Sequence, residues 1–231
     1  CGEEDDGAEI SAAMDALGIS SIDYLIITHY DKDHIGGAPT LLKKYKVSKL
    51  FEPDYTPVDT TAYAYMSYRN ALTEAEANGK CGSAEAVADS VDLTVSDIKL
   101  NIVGTFGKDY AKNQDNNDSL VVSLEHLGNS FLFAGDIEKQ RIADMLSQGR
   151  VQPCDFLKVP HHGSTTSSSL GFLEAVSPEY AIISVGKGNS YGHPDYDTIQ
   201  KLKQVNAEIY RTDELGTINI VFSADDIKIT Y

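Results

Sequence analysis

Short apolar segments of strand length recur along the 231-residue chain, and several of them end directly in acidic, histidine or glycine residues. The first, residues 22–28, is typical of a buried strand. Segments with apolar residues at helical spacing alternate with these runs. Some neighbouring runs form hairpins, which a pure strand–helix–strand repeat lacks, so a simple doubly wound sheet is disfavoured. We therefore predict an α/β fold of two sheets with helices outside.

The predicted elements cover most of the chain. Helices are expected at residues 8–17, 37–45, 60–78, 137–147, 170–175 and 196–205. Strands are expected at residues 22–28, 49–52, 98–103, 120–124, 130–134, 156–159, 180–185, 217–222 and 227–231. The strands within residues 120–134, and the last two strands, predict hairpins. No Pro- or Gly-rich linker divides the chain, so we expect one domain over residues 1–231.

The charge of the chain restricts its partners. It has 19 Lys and Arg against 35 Asp and Glu, a net charge of −16, so a uniformly basic nucleic-acid surface is disfavoured. A local basic path is still compatible, and the clustered candidates are Lys43, Lys44, Lys46 and Lys49. No stretch approaches the roughly 18 apolar residues of a membrane span. Three cysteines without a Cys-x-x-Cys pair exclude a disulfide framework and a zinc ribbon.

The strongest chemical signal is the segment 28–37, Thr-His-Tyr-Asp-Lys-Asp-His-Ile-Gly-Gly, directly after the first predicted strand. His29, Asp31, Asp33 and His34 fall within six residues, at a strand end where side chains converge on a cleft. Imidazoles and carboxylates are the ligands of Zn²⁺, Mn²⁺ and Fe. The alternative is a polar loop with an N-capping Asp, but four ligand-type residues in one turn have no packing reason.

Two later strands end in the same way. Asp136 follows the apolar run 131–134, and it either caps the next helix or bridges two metals; beside the first motif, bridging is favoured. His161 and His162 follow the strand 156–159, and at least one of them is expected to be a ligand. The hydroxyl run that begins at Ser164 either lines a polar site or caps a helix.

Three other residues are candidates for catalysis or substrate binding. His193, in Tyr-Gly-His-Pro, is expected to be a ligand, a general acid or a substrate anchor. Asn117 precedes the strand 120–124 and either points its amide into the cleft or forms a turn. Tyr30 and four later tyrosines (Tyr55, Tyr63, Tyr65 and Tyr68) either form an aromatic wall for a base or a quaternary ammonium, or pack a helix; packing is better supported.

These segments, in this order, resemble the metallo-β-lactamase superfamily and, within it, the ComEC-like branch. The superfamily motif His-x-His-x-Asp-His reads here His29-x-Asp31-x-Asp33-His34. Asp136 resembles the bridging aspartate, and residues 160–164, residues 191–194 and the Asn-x-Ser-Leu-Val stretch from Asn117 are typical of the branch. Two features depart from the pattern. The Asn117 region replaces the usual histidine ligand before the bridging Asp, and the opening strands of the first sheet are expected to be missing.

The resemblance implies an αββα sandwich and a dinuclear hydrolase that acts through a hydroxide bridging two divalent metals, Zn or Mn. It implies that one metal is held by His29, Asp31 and Asp136, the other by Asp33, His34 and Asp136, and that His161, His162 or both complete the set. It further implies catalytic roles for Asp33 and His193. Substrate contacts are expected from Asn117, Ser164 and Tyr30.

The resemblance favours a phosphodiester substrate, with DNA or a choline-phosphate polymer as the candidates. Two alternatives stay open: a hydrolase of lactones, thioesters or lactams, and a non-catalytic binding module that keeps the fold. Asp31 in place of an imidazole gives the first site a harder, more oxygen-rich ligand set, so Mn²⁺ becomes more competitive with Zn²⁺. Only the resemblance points to an extracytoplasmic location, and the oligomeric state is left open.

Overall fold

A computed structural model describes residues 1–108, 110, 115–223 and 226–231. The chain divides into two compact units. The first comprises Cys1–Asp89 and Gly104–Leu120, and the second comprises Ser90–Val103 and Val121–Tyr231. Each unit has a hydrophobic core made of its own residues. The expectation of one domain over residues 1–231 stays a prediction.

The first unit contains a parallel sheet with the strand order β1-β2-β3. The strands are β1 (Ser21–Ile26), β2 (Lys46–Pro53) and β3 (Ala84–Val87). The helices are α1 (Asp6–Ala16), α2 (Lys32–Ile35), α3 (Ala38–Lys44) and α4 (Tyr63–Ala77), and a 3₁₀ turn lies at Asp115–Asp118. The C-terminal ends of parallel strands lie at one edge of a sheet, and the turn after β1 therefore begins at that edge.

Helix α4 forms because its apolar residues repeat at helical spacing. Tyr68, Ala71, Leu72 and Ala75 are buried, at positions i, i+3, i+4 and i+7. They join Leu50 and the other buried residues of this unit in one hydrophobic cluster. The exposed positions of the helix include Thr73, Glu74 and Glu76, and also Tyr63 and Met66.

The second unit contains a sheet with the strand order β10-β9-β8-β7-β6-β5-β4. Its strands are β4 (Ser90–Val95), β5 (Ile98–Val103), β6 (Val121–His126), β7 (Asn129–Phe133), β8 (Phe156–Lys158), β9 (Tyr180–Ile183) and β10 (Glu208–Arg211). Its helices are α5 (Lys139–Ser147), α6 (Leu170–Val176), α7 (Tyr196–Gln204) and α8 (Thr212–Leu215). A separate hairpin consists of β11 (Asn219–Phe222) and β12 (Ile227–Thr230).

Strands β4 to β7 are antiparallel neighbours, whereas β7 to β10 are parallel. The parallel half is covered by helices whose buried residues, including Ile142, Phe172 and Leu202, join the core. Since β7, β8 and β9 run in the same direction, the segments that follow them all start from the same edge of the sheet. Asp136, His161 and His193 lie in those segments.

Most predicted elements are confirmed, with shifts of a few residues at their ends. The β6–β7 hairpin pairs Val122 with Phe133, and β11 pairs antiparallel with β12, as predicted. Sequence reasoning missed β3, β4 and β10. The absence of opening strands stays a prediction. Among the described residues, no helix combines the length and the apolar character needed to cross a membrane.

Candidate functional site

His29 lies just beyond β1, and its side chain is fully buried. Its Nδ1 atom lies 3.2 Å from Thr28 Oγ1 and 3.2 Å from Ser119 Oγ. Its Nε2 atom is buried without a hydrogen-bond partner among the described residues; an Asp31 carboxylate oxygen lies 3.7 Å away. A buried nitrogen with a lone pair and no protein donor is costly, and a bound metal would satisfy it. This atom therefore fits a metal ligand.

The same turn carries the other three ligand-type residues of the first motif. The rings of His29 and His34 have centroids 4.0 Å apart, and His34 Nδ1 lies 3.4 Å from Thr28 Oγ1. Asp33 Oδ2 lies 3.7 Å from His34 Nε2. Asp31 occupies the N-cap position of α2, but its side chain makes no capping hydrogen bond. The turn therefore gathers two imidazoles and two carboxylates, and its Asp31 is free of the capping role considered from the sequence.

Asp115 adds negative charge near this turn, and sequence reasoning missed it. Burial raises the pKa of the Asp115 carboxyl, and the charge of Asp31 raises it further. The nearby His29 lowers the pKa of the Asp115 carboxyl. Acidic groups gathered around imidazoles suit a bound cation better than an anion.

Asp136 follows β7 and is almost completely buried, with 3% exposure. Helix α5 begins at Lys139 with Glu138 in the N-cap position, so Asp136 is not the helix cap. Its Oδ2 atom lies 3.4 Å from His162 Nε2 and 3.9 Å from His161 Nε2. The second unit therefore brings one carboxylate and two imidazoles together.

His161 and His162 both have left-handed backbone conformations, with φ values of 47° and 52°. Such conformations are strained for residues with a Cβ atom and concentrate at functional sites. His162 Nδ1 lies 2.7 Å from the Ser184 carbonyl, which can only accept, so Nδ1 donates. In the neutral ring the lone pair is then on Nε2. His161 Nδ1 lies 3.3 Å from Glu138 Oε1. The Nε2 atoms of both rings thus face Asp136. This arrangement suits both histidines, and not just one of them, to binding a metal.

His193 follows β9 and is held by its backbone. Its N–H donates to Asn189 Oδ1 at 3.1 Å, and its carbonyl accepts from Asn189 Nδ2 at 2.7 Å. The ring lies 5.7 Å from that of His161. Burial lowers the pKa of His193, and His161 and His162 lower it further, while Asp195 opposes them. The neutral imidazole is therefore favoured, which is the form that binds a metal or accepts a proton.

The hydroxyl run after His162 serves the protein itself in two ways. The Thr166 and Ser167 hydroxyls both lie 3.4 Å from His161 Nδ1. Ser169 caps α6 by accepting from Phe172 N. Ser164 is buried, and its hydroxyl lies 3.0 Å from Thr166 Oγ1, so its contact with substrate stays a prediction.

Asp195 occupies the N-cap position of α7, as the sequence suggested. Its side chain makes no capping hydrogen bond there. Instead, its carboxylate accepts from the Thr165 backbone N–H at 2.8 Å. The carboxylate therefore holds the turn after His162 in place.

Tyr30 and Asn117 are too buried to favour the predicted substrate contacts. The Tyr30 hydroxyl donates to the Pro53 carbonyl at 3.1 Å, and its ring packs against Tyr55 and Tyr65. Burial raises the pKa of this hydroxyl well above its usual range. Asn117 is fully buried within the 3₁₀ turn. These positions favour the packing and turn alternatives, and contact with substrate stays a prediction for both residues.

Comparison with known proteins identifies relatives. Residues 2–187 match the family model "Metallo-beta-lactamase superfamily". The chain is 35% identical over 206 residues to "ComE operon protein 3" of Bacillus subtilis (strain 168), covering 89% of this chain and 25% of that protein. It is 28% identical over 225 residues to "Competence protein ComA" of Neisseria gonorrhoeae, covering 95% and 28%. The chain thus spans about a quarter of the length of these curated relatives.

Two further matches extend the comparison. "Recombination protein 2" of Haemophilus influenzae is 27% identical over 208 residues, which cover 90% of this chain and 23% of that protein. Among solved structures, CmlA, a diiron beta-hydroxylase from Streptomyces venezuelae, superposes with a TM-score of 0.52 at 14% identity, over 83% of this chain and 44% of its own. That likeness concerns the fold alone. Together the matches confirm the metallo-β-lactamase fold and the resemblance to the ComEC-like branch.

Proposed function

Since this chain belongs to the metallo-beta-lactamase superfamily, we propose that it is a hydrolase that uses two divalent metal ions, Zn or Mn, to cleave phosphodiesters. The buried, unpartnered Nε2 atom of His29, at the end of β1, carries the proposal. Two relatives are named for competence and recombination, and those names favour DNA as the phosphodiester.

Each unit offers its own group of metal donors. The first unit offers His29, Asp31, Asp33 and His34, and the second offers Asp136, His161 and His162. Bound divalent metals would lower the pKa of water and stabilise the charge that develops on phosphoryl oxygens. The mixed imidazole and carboxylate set suits Zn²⁺ and Mn²⁺.

His193 would handle the proton in this reaction. Its Nδ1 atom lies 3.5 Å from Asp195 Oδ2, which leaves Nε2 as the atom that would first accept a proton. Once protonated, Nε2 could donate to the leaving oxygen or to a phosphoryl oxygen. The two hydrogen bonds from the Asn189 side chain fix the backbone of His193, so little backbone conformational entropy is lost when substrate binds. The Asp33 carboxylate is 38% exposed and can accept a proton as well as bind a metal.

The test combines metal analysis of the purified chain with hydrolysis of bis-p-nitrophenyl phosphate in the presence of Zn²⁺ or Mn²⁺. We expect about two bound metals and turnover, and Asp136→Ala should reduce turnover by more than about 100-fold. Asp92→Ala is the matched control, because Asp92 is an exposed acid of β4 in the same unit.

Three other results would contradict the proposal. Two metals with turnover of nitrocefin or a thioester, but not of the phosphodiester, would indicate a carbonyl hydrolase. Two metals without any turnover would favour a binding module that keeps the fold. A chain that binds no metal would rule out the metal-dependent reaction.

A further inference from the structure

Ser119 lies in the Asn-x-Ser-Leu-Val stretch, ninety positions from His29 in the sequence, yet its hydroxyl lies 3.2 Å from His29 Nδ1. Ser119 is fully buried, as is His29. Its backbone N–H donates to the Asn116 carbonyl at 3.1 Å, and the next residue, Leu120, donates to the Thr28 carbonyl at 2.8 Å. These backbone hydrogen bonds, one made by Ser119 and one by the next residue, therefore hold the Ser119 hydroxyl beside the His29 ring.

The environment of His29 selects between the two tautomers of its neutral imidazole. With the proton on Nδ1, the ring donates toward the hydroxyls of Ser119 and Thr28, and Nε2 carries a lone pair. With the proton on Nε2, a buried N–H would lack any hydrogen-bond acceptor in the described part of the chain, since Asp31 Oδ2 is 3.7 Å away. The first tautomer is the one that binds a metal through Nε2.

We propose that Ser119 is a positioning residue: its hydroxyl accepts the Nδ1–H of His29 and fixes the tautomer whose Nε2 binds a divalent metal. This inference rests on the proposed function for its consequence, but the hydrogen bond itself exists without metal. The Thr28 hydroxyl lies between His29 and His34, 3.2 Å and 3.4 Å from their Nδ1 atoms, so it serves two rings. Because the Thr28 hydroxyl is shared between two rings, the Ser119 hydroxyl gives His29 Nδ1 a second hydrogen-bond partner.

The first test is the tautomer itself. In ¹⁵N-labelled, metal-free protein at a pH where His29 is neutral, we expect ring nitrogen shifts that show a protonated Nδ1 and an unprotonated Nε2. Ser119→Ala should move these shifts toward a mixture of tautomers, and Ser119→Thr, which keeps the hydroxyl, should restore them. The wild-type spectrum needs no variant, so a protonated Nε2 there would by itself overturn the inference.

The second test is metal affinity, measured by competition with a chromophoric Zn²⁺ chelator. Ser119→Ala should weaken Zn²⁺ binding about 10- to 100-fold, as is typical when a ligand's hydrogen-bond partner is lost. Ser168→Ala is the matched control. Ser168 is also fully buried, and its hydroxyl has no hydrogen-bond partner among the described residues, so this change should leave affinity within about 2-fold.

The two readouts separate this inference from the proposed function. If Ser119→Ala changes neither the His29 shifts nor the Zn²⁺ affinity, Ser119 does not position His29. If Ser168→Ala weakens Zn²⁺ binding as much as Ser119→Ala, general disturbance of the core explains the loss, and the inference is wrong. If the wild-type chain binds no Zn²⁺ but shows the expected tautomer and its loss in Ser119→Ala, the positioning holds and the proposed metal chemistry fails.

Discussion

Single residues decide whether an imidazole can serve as a ligand, and the deciding contact is usually made by its second nitrogen. His162 donates through Nδ1 to the Ser184 carbonyl, and His161 Nδ1 faces the Glu138 carboxylate. The sequence predicted the histidines because they stand directly after strands. It could not predict Ser184 or Glu138, because folding alone brings those groups to the rings. The choice between His161 and His162 was open for the same reason.

Glu138 supplies a residue-scale prediction. Its carboxylate lies 3.3 Å from His161 Nδ1 and also accepts from the Thr166 hydroxyl at 3.1 Å. Glu138→Gln keeps the shape but removes the charged acceptor beside His161 Nδ1, so Zn²⁺ affinity should fall about 10-fold. Isothermal titration calorimetry checks this, with Glu174→Gln, an exposed acid on α6, as the control. Equal affinity for both variants would show that Glu138 does not support His161.

Gly163 supplies a second prediction at this scale. Its φ is +85°, and a Cβ atom there would lie 2.6 Å from Pro194 Cβ. Gly163→Ala should therefore lower the free energy of unfolding by about 1–3 kcal/mol, through strain and overlap. Gly171→Ala in α6 has nothing within 4 Å of the added Cβ and should raise it by up to about 1 kcal/mol. Urea titration of both variants measures this. If Gly163→Ala has the free energy of unfolding of the wild-type chain, the loop accommodates the added methyl group without strain.

Strands and helices could be predicted where a pattern of neighbouring residues in the sequence marks them. The β6–β7 hairpin has two short apolar runs on either side of a short turn, and both strands formed as expected. Strands β3 and β10 have four residues each, and each pairs in parallel with a strand distant in the sequence, so no local pattern marks them. Asp136 was open between cap and ligand because helix starts are uncertain by a few residues. The start of α5 at Lys139 removes the cap alternative, and the ligand role stays a prediction.

Helix α4 gives a prediction at the scale of elements. The Tyr68 hydroxyl donates to Glu52 Oε2 at 2.7 Å, and Arg69 donates to both oxygens of the same buried carboxylate. Tyr68→Phe leaves that carboxylate with one donor fewer, which should lower the free energy of unfolding by about 1.5–3 kcal/mol. Tyr63→Phe, on the same helix with 71% exposure, should change it by less than about 0.5 kcal/mol. Chemical denaturation that gives equal values for the two variants would contradict this.

Across the whole molecule, the cysteines report on how tightly the cores are closed. Burial raises the pKa of Cys154 to about 12, and the charge of Asp155 adds to the effect. The thiolate is the reactive form, and at pH 8 only roughly one Cys154 in 10,000 is ionised at any moment. Its reaction with iodoacetamide should therefore be slow, and the rate should rise as the pH increases. Mass spectrometry of labelled native and urea-unfolded protein checks this. Rapid labelling of Cys154 in the native protein at pH 8 would show that this core opens readily.

Net charge sets how such a chain can meet DNA. Two divalent metals would change −16 only to −12, and duplex affinity depends mainly on cations that replace counterions. The clustered lysines are partly neutralised, because Lys44 pairs with Asp15, and Lys49 pairs with Glu85 at 2.6 Å. The basic path that the sequence left open is therefore weak. If DNA is the substrate, contacts at the metals and not the surface charge would have to position it.

We therefore expect this chain alone to bind a short duplex with a Kd weaker than about 10⁻⁴ M at physiological salt. Fluorescence anisotropy at several salt concentrations measures it, and the affinity should change little with salt because few counterions are released. Lys46→Gln, which removes an exposed cation of the cluster, should leave binding unchanged. A Kd in the micromolar range with a steep salt dependence, lost in Lys46→Gln, would show that the lysine cluster binds the phosphate backbone despite the charge of the whole molecule.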